Sequence, residues 1–383
     1  MSSLVWVEID AQAPNHNMEE IRRGSAPGTL ACAVVKSNAY GHGVASFASL
    51  VTSADWFGVN SLEEGLELRA LGVTKPIILL GHVPLADLPA AIEADLALTV
   101  YNRETIDTIS ALRSVPRPAR VHVKVDTGTA RQGVLPQDLE GFIRLVLAGR
   151  NLSLEGLSTH FANIEDTLNN EYAELQLTRF NAAAACVEAI AGKLPYVHTA
   201  CTAAALLSPS TQFTMLRTGI GLYGLWPSRE TFISMREKGA SVDFRPVLSW
   251  KTRIVQVKMI PEGSYVGYGC SYRTTRRTTL GVLPVGYADG YDRAMGNRAY
   301  VLVRGRRAPV IGRICMNLCM VDLTDVPGAK LEDEVVLLGR SGDERISAET
   351  LAEWAGTINY EIVTRISPFL PRKVVSPSLR NAS

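Results

Sequence analysis

Apolar and polar positions follow different patterns in the two parts of this chain. From residue 30 to about residue 220, short apolar, β-branched runs alternate with longer stretches that have the spacing of amphipathic helices. The predicted strands are 30–35, 56–59, 76–80, 96–100, 119–125, 154–159, 195–199 and 214–217. The predicted helices are 43–53, 61–71, 84–93, 102–113, 137–149, 168–192 and, more weakly, 203–207. Eight strand-then-helix units favour a (β/α)8 TIM-type barrel over a doubly wound open sheet.

Beyond about residue 240 strands predominate, joined by glycine-rich turns. Strand-like stretches occur at 246–260, 280–285, 299–303, 310–314, 320–323 and 334–338, and only 347–356 is strongly helical. We therefore expect a barrel domain over residues 1–240 and a predominantly β domain over 241–383. Whether the first strand, about residues 3–10, packs on the second domain stays open. The basic cluster Arg304-Gly-Arg-Arg307 is expected to be a solvated hairpin tip.

Composition narrows the function classes. The chain has 39 basic and 38 acidic residues, which gives no reason to expect a nucleic acid or another polyanion as partner. No apolar run has the length of a membrane span, and the amino terminus does not resemble a signal peptide, so we expect a cytoplasmic protein. Six cysteines without Cys-x-x-Cys spacing indicate free thiols, and the spacing of the six histidines predicts no metal site.

Lys36 directly follows the first barrel strand. A lysine that ends a buried strand is unusual, and two interpretations are open: its amine reaches solvent at the rim of the barrel, or it is a Schiff-base lysine whose partly desolvated amine is nucleophilic. Polar residues also end three other strands, in the segments 124–131, 158–163 and 198–202. Because strand ends of a barrel converge on one mouth, an active site there is the better explanation.

The segment Arg217-Thr-Gly219-Ile-Gly221-Leu-Tyr-Gly224 follows the eighth strand and is rich in glycine. Backbone N–H groups of such a segment can approach an anion closely, and phosphate sites near the last two strands are common in barrels. The spacing matches neither a dinucleotide fingerprint nor a Walker A loop. The segment therefore indicates a phosphate site of another kind.

Together these motifs resemble those of the alanine racemases, a family of bacterial enzymes that use pyridoxal phosphate. The segment Ala33-Val-Val-Lys-Ser-Asn-Ala-Tyr-Gly-His-Gly43 is similar to the family's cofactor-binding signature. Further motifs follow in the family's order, namely Val123-Lys-Val-Asp-Thr-Gly128, Ser158-Thr-His-Phe161, Arg217-Thr-Gly-Ile220, Gly267-Tyr-Gly269, Gly286-Tyr-Ala-Asp-Gly290, Gly312-Arg-Ile-Cys-Met316 and Asn359-Tyr-Glu-Ile362. The resemblance therefore extends over nearly the whole chain.

The resemblance implies racemisation of L- and D-alanine, which supplies or consumes D-alanine, a peptidoglycan precursor. It also implies a homodimer whose active sites are built from both subunits. Lys36 would carry pyridoxal phosphate and act as one catalytic base, and Tyr268 of the partner subunit would act as the other. The implied cofactor-binding residues are Lys36, Tyr40, His160, Thr202, Arg217, Gly219, Ile220 and Tyr360. The implied substrate-binding residues are Arg131 and Met316, and Tyr287 would lie at the entrance.

Chemistry agrees with these implied roles. Racemisation removes the Cα proton from one face and returns a proton to the other, so it needs two bases. An arginine presents only donors, so a pyridine nitrogen facing Arg217 has to remain unprotonated, which weakens the ring as an electron sink. His160 and Arg217 would help Tyr268 to ionise through a hydrogen-bonded chain. Lys124 matches a position that is carbamylated in many family members, where it helps to hold Arg131; an unmodified lysine is the alternative.

Three positions depart from the commonest family pattern. The residues around Arg131 are Thr129, Ala130 and Gln132, Cys201-Thr202 replaces Asn-Ser, and Asn317 replaces an aspartate. The Asn317 departure keeps open a racemase for serine or for a broad set of amino acids. A decarboxylase of the same fold and a non-catalytic pyridoxal phosphate carrier are further alternatives, although neither would need Tyr268.

Overall fold

The computed structural model describes residues 3–376, which divide by their contacts into two compact units. The barrel unit comprises Ala13–Ser37 and Ala48–Arg245. The sheet unit comprises the residues up to Gln12, Asn38–Phe47 and the residues from Pro246 onward. Within the described part of the chain, no helix is both long enough and apolar enough to cross a membrane.

Eight parallel strands form the sheet of the barrel unit, in agreement with the prediction. They are Leu30–Val34, Trp56–Val59, Ile77–Leu79, Leu96–Val100, Ala119–Lys124, Leu152–Ser158, Tyr196–His198 and Met215–Thr218. The first seven pair in chain order, and the eighth pairs with the first. All five residues of Leu96–Val100 are buried, as is typical of a parallel strand covered on both faces.

The seam between the seventh and eighth strands is bridged by backbone hydrogen bonds. The Thr214 N–H donates to the Val197 carbonyl at 3.0 Å, and the Arg217 N–H donates to the Ala200 carbonyl at 2.9 Å. The barrel is therefore nearly closed, and the carboxyl ends of its strands lie around one mouth.

Helices precede, connect and follow the strands of the barrel unit. They are Ala13–Arg23, Leu62–Ala70, Leu88–Glu93, Arg103–Ala111, Leu139–Ala148, Glu171–Ala191, Thr202–Leu207 and Arg229–Glu237, with 3-10 turns at Ala48–Leu50, Leu85–Asp87, Pro136–Asp138, Pro209–Thr211 and Ile220–Tyr223. Ser61 and Glu64 form a capping box at the start of Leu62–Ala70. The hydrophobic pattern does not predict Ala13–Arg23, because Pro14, Asn15 and Asn17 give its first half low helix propensity.

The sheet unit contains two antiparallel-rich sheets. Its strands are Val5–Asp10, Leu248–Arg253, Gln256–Ile260, Thr278–Leu283, Tyr300–Val303, Arg306–Pro309, Cys319–Asp322, Glu334–Ser341, Glu344–Ile346 and Arg372–Val375. Its helices are Val44–Phe47, Ala348–Ala355 and Asn359–Thr364, with 3-10 turns at Tyr268–Cys270, Tyr287–Asp289 and Arg293–Met295. Val5–Asp10 pairs antiparallel with Leu248–Arg253 and parallel with Arg372–Val375.

The basic cluster forms the tip of a hairpin, as expected. Arg304 and Gly305 have φ angles of 52° and 73° and connect Tyr300–Val303 to Arg306–Pro309. The expected strand at 310–314 is wrong, because this tight turn pairs Tyr300–Val303 with the residues that follow the turn directly. Val310 forms only an isolated bridge.

Candidate active site

Lys36 stands at the mouth of the barrel, two residues beyond the end of Leu30–Val34. The next four residues, 37–40, have φ angles of 52–55° and form a left-handed turn, a conformation that is strained for residues other than glycine. The Glu64 carboxylate holds the start of this turn by accepting the Ser37 N–H at 2.5 Å. Burial, and then the charge of Arg131, lower the pKa of Lys36. At a given pH, a larger fraction of Lys36 is therefore in the neutral, nucleophilic form than in an exposed lysine.

Lys124 and Arg131 flank a loop that is organised by Asp126. The Asp126 carboxylate accepts the N–H groups of four successive residues, 128–131, at 2.9–3.2 Å. Burial by itself would raise the pKa of Asp126, but these four donors outweigh it and lower the pKa. Burial, followed by the charges of Arg217 and Arg131, lowers the pKa of Lys124 to about 8.

His160 lies among these cations. Burial, and then Arg217 and Arg131, lower its pKa to about 3, so the ring is neutral at pH 7. Its backbone carbonyl accepts a hydrogen bond from the Thr129 hydroxyl at 2.7 Å. Thr129 is one of the positions that departs from the family pattern, and here it joins the loop of Arg131 to the segment of His160.

Arg217 is buried, and protein acceptors surround the two ends of its guanidinium. One terminal nitrogen donates to the Nδ1 and the backbone carbonyl of His198, at 2.5 and 2.7 Å. The other donates to the carbonyls of Thr159 and Thr199, at 2.7 and 3.1 Å. These four contacts use the four terminal hydrogens, which leaves the Nε–H as the remaining donor.

Thr202 and the glycine-rich segment form a compact polar corner. The Thr202 hydroxyl oxygen accepts the N–H of Gly219 at 3.2 Å and the N–H of Gly221 at 3.3 Å. A β-carbon at Gly221 would lie 2.5 Å from the methyl carbon of Thr202, so no other residue fits there without displacing Thr202. Ile220 is buried directly between these glycines.

Two groups of predicted site residues lie in the sheet unit. Tyr40 and Tyr360 are neighbours, with ring centroids 6.3 Å apart. Tyr287 and Met316 lie on adjacent segments, because the Ala288 N–H donates to the Met316 carbonyl at 3.0 Å. Tyr268 is 75% exposed within this one chain, in a turn where the neighbouring Gly267, Gly269 and Cys270 have positive φ angles.

The barrel unit thus brings Lys36, Lys124, Arg131, His160 and Arg217 close enough for their charges to affect one another. Among the described carboxylates, Asp126 and Glu64 oppose these positive charges. These side chains fit the polar ring of a cofactor and a substrate carboxylate, and the polar corner of Thr202 and residues 219–221 fits the cofactor's phosphate. The residues present therefore fit pyridoxal phosphate.

Sequence reasoning gives no role to three side chains that organise this site. The sequence marks Asp126 and His198 only as polar residues at strand ends, and His122 only as a histidine without metal spacing. A signal is present for Asp126, because an aspartate followed by Thr-Gly is typical of an Asx turn. The contact between His198 and Arg217 joins residues 19 positions apart, and no local pattern indicates it.

Comparison with known proteins agrees with this geometry. The family models described as "Alanine racemase, N-terminal domain" and "Alanine racemase, C-terminal domain" match residues 9–227 and 247–374. The alanine racemase of Desulfovibrio desulfuricans is 41% identical over 374 residues, covering 97% of this chain and 98% of that protein. The solved alanine racemase of Clostridium difficile 630 has a TM-score of 0.91 at 32% identity, covering 98% of this chain and 97% of that one. The alanine racemase of Bacillus anthracis with bound L-Ala-P also has a TM-score of 0.91, at 34% identity, covering 98% and 96%.

Proposed function

We propose that this chain, which belongs to the alanine racemase family, interconverts L- and D-alanine with pyridoxal phosphate held on Lys36. The observation that carries the proposal is the position of Lys36, with its lowered pKa, among the cations at the mouth of the barrel. When bound, pyridoxal phosphate supplies an electron sink that lets the Cα–H bond of an amino acid ionise.

Two side chains act as the bases. Lys36 moves the proton on the D-face of the substrate, and Tyr268 of a second copy of the chain moves the proton on the L-face. A tyrosine has an ordinary pKa of about 10, so only about one in a thousand is ionised at pH 7. Neighbouring cations have to stabilise the phenolate, and Arg217, whose charge acts on the neighbouring His160, is suited to that role.

Arg217 holds the nitrogen side of the cofactor ring. Its terminal nitrogens are occupied by protein acceptors, and the remaining Nε–H would donate to the pyridine nitrogen of the bound cofactor. A guanidinium effectively never gives up its proton, so Arg217 would keep a pyridine nitrogen that faces it as an unprotonated acceptor. This limits the electron withdrawal that would favour transamination.

The remaining residues bind and orient. Tyr40, Thr202, Gly219, Ile220 and Tyr360 hold the phosphate. Arg131, supported by a carbamate on Lys124, and Met316 position the substrate, and Tyr287 lies at the entrance.

A homodimer completes the site. In one chain Tyr268 is largely exposed, and so is Tyr265, three residues earlier in the sequence. A catalytic tyrosine needs a protected environment, which supports its insertion into the site of a partner chain. The free cysteines support a reducing, cytoplasmic location.

The test is a racemisation assay that follows circular dichroism from L-alanine and from D-alanine, with Lys36→Ala as control. We expect the wild type to converge to the same racemic endpoint from both sides and the variant to be inactive. Comparing kcat/KM for alanine, serine and lysine separates an alanine racemase from a broader one. Activity in Lys36→Ala without added cofactor would overturn the proposal.

A further inference from the structure

A line of three buried polar side chains runs from Arg217 into the interior of the barrel unit. Arg217 contacts His198 Nδ1 at 2.5 Å, and His198 Nε2 contacts His122 Nδ1 at 2.8 Å. All three side chains are buried. His122 lies in the strand Ala119–Lys124 and has no part in the proposed contacts to cofactor or substrate.

The chemistry of the guanidinium fixes where the protons lie along this line. Arg217 only donates, so His198 Nδ1 has to accept, and the proton of a neutral His198 is on Nε2. That proton is donated to His122 Nδ1, which leaves the proton of His122 on its Nε2. Burial, together with Arg217, lowers the pKa of both histidines, so both are neutral.

The residues around His122 fix the position of its ring. The ring stacks on Tyr196, with centroids 5.4 Å apart and an interplanar angle of 11°, and Trp56 lies 5.6 Å away. A bulge in the pairing with Leu152–Ser158 lies directly beside His122, and such bulges redirect side chains. A β-carbon at Gly156, the residue opposite, would lie 2.5 Å from His122 Nδ1.

His122 has an unfavourable feature that an apolar aromatic residue would avoid. Its Nε2 is buried and has no hydrogen-bond partner within residues 3–376. An unsatisfied buried donor is costly, so a phenylalanine would suit this core position better if packing were the only requirement. The benefit that offsets this cost lies at the other ring nitrogen, which faces His198.

We propose that His122 is a positioning residue for racemisation. By accepting the proton of His198 Nε2, it keeps His198 Nδ1 available as the acceptor that orients Arg217. Without it, His198 has no buried acceptor for Nε2–H, and the tautomer with a proton on Nδ1 would set two donors against each other. The proposal rests on the proposed function, since Arg217 matters through the cofactor ring that it faces.

The first test needs no cofactor. ¹⁵N NMR of histidine-labelled protein without pyridoxal phosphate distinguishes protonated from unprotonated ring nitrogens. We expect His198 to be protonated on Nε2 in the wild type and in His122→Asn, whose amide oxygen replaces the acceptor. We expect altered His198 signals in His122→Phe. A proton on His198 Nδ1 in the wild type, or unchanged signals in His122→Phe, would overturn the proposal.

The second test is kinetic. His122→Phe should lower kcat for alanine by about tenfold, a loss comparable to one hydrogen bond, and should change KM by less than about twofold. His122→Asn should restore kcat to within about twofold of the wild type. Tyr196→Phe, which keeps the stacked ring, is the matched control and should leave kcat unchanged.

If both His122 variants are equally slow, or if His122→Phe is fully active, the positioning role is lost. If His122→Phe does not fold, His122→Asn decides alone: wild-type signals and activity support the proposal, and their loss overturns it. A wild-type protein that does not racemise alanine instead overturns the proposed function. The cofactor-free NMR distinguishes that outcome from a failure of the positioning role of His122.

Discussion

Gly41 packs directly against the backbone carbonyl of Val363, and a β-carbon at position 41 would overlap that oxygen. The neighbouring Gly41 carbonyl accepts a hydrogen bond from Arg372 at 2.8 Å. The segment that carries Tyr40 is therefore fixed to the helix Asn359–Thr364, which carries Tyr360. The two tyrosines proposed to bind phosphate are held by backbone contacts as well as by their rings.

Gly41→Ala should consequently destabilise the protein more than a positive φ angle explains. Gly356 is the matched control, since it lies in the same unit, has a φ of 74° against 80° for Gly41, and has open space where a β-carbon would be added. Both variants incur about 1 kcal/mol of backbone strain. We expect the Tm of Gly41→Ala to lie at least about 4 °C below that of Gly356→Ala, as measured by thermal denaturation. Equal Tm values would show that the segment of Gly41 moves to accommodate a β-carbon at little cost.

Active sites shared between subunits should permit complementation. Lys36→Ala and Tyr268→Phe are each expected to be inactive, but mixed dimers contain one site with an intact Lys36 and Tyr268. An equimolar mixture, after dissociation and reassociation, should recover about a quarter of wild-type activity. Mixing either variant with itself is the control. No recovery from verified mixed dimers would place both residues of a site on one chain.

Lys124 should take up carbon dioxide as a carbamate. With a pKa of about 8, a useful fraction of its amine is neutral at neutral pH, as carbamate formation requires. We expect a carbamate signal in ¹³C NMR after incubation with labelled bicarbonate, lost in Lys124→Ala and kept in Lys251→Ala. Lys251 is the control because Glu8 and Glu334 pair with it at 2.9 and 3.1 Å. We also expect kcat/KM of Lys124→Ala to fall at least about tenfold as Arg131 loses its support. An unmodified Lys124 would contradict this role.

Acid should destabilise the folded chain through four histidines. Burial lowers the pKa of His42 to about 4 and the pKa of His122 and His160 to about 3, and it lowers the pKa of His198 well below 6.5. Because the folded pKa is the lower one, the unfolded chain binds more protons below pH 6.5. The free energy of unfolding should therefore fall as the pH drops from about 6.5 towards 4, and these groups should have little effect above that range.

Each such histidine contributes up to about 1.4 kcal/mol per pH unit, so the four together give a slope of about 5 kcal/mol per unit. Urea denaturation at a series of pH values measures this slope, and replacing His42 with glutamine should reduce it by about a quarter. A free energy of unfolding that stays constant between about pH 7 and pH 5 would show that these rings are not buried as neutral groups.

Much of the barrel could be predicted because its strands are buried on both faces. Leu96–Val100 consists of five buried residues and stands out as an apolar run without reference to the rest of the chain. Lys36 could be recognised as a candidate site residue because a cation directly after a buried apolar strand is unusual. Its role as a cofactor-binding lysine was indicated by the motif around it and not by the hydrophobic pattern.

Features that depend on long-range contacts could not be predicted in this way. Asn38–Phe47 belongs to the sheet unit through partners such as Val363 and Arg372, more than 300 residues away in the chain. The left-handed turn at residues 37–40 contains no glycine, so the sequence does not indicate it. The contacts from Arg217 through His198 to His122 join three strands, and neither histidine is distinguished by the sequence around it.

The pairing of Val5–Asp10 has a consequence for biosynthesis. This strand leaves the ribosome before the whole barrel unit, yet its partners Leu248–Arg253 and Arg372–Val375 are made after it. Throughout that interval both of its hydrogen-bonding edges remain available to other chains. Translation speed and chaperone capture therefore bear on the yield of this enzyme, and a chain that stopped before residue 372 would leave one edge of this strand permanently open.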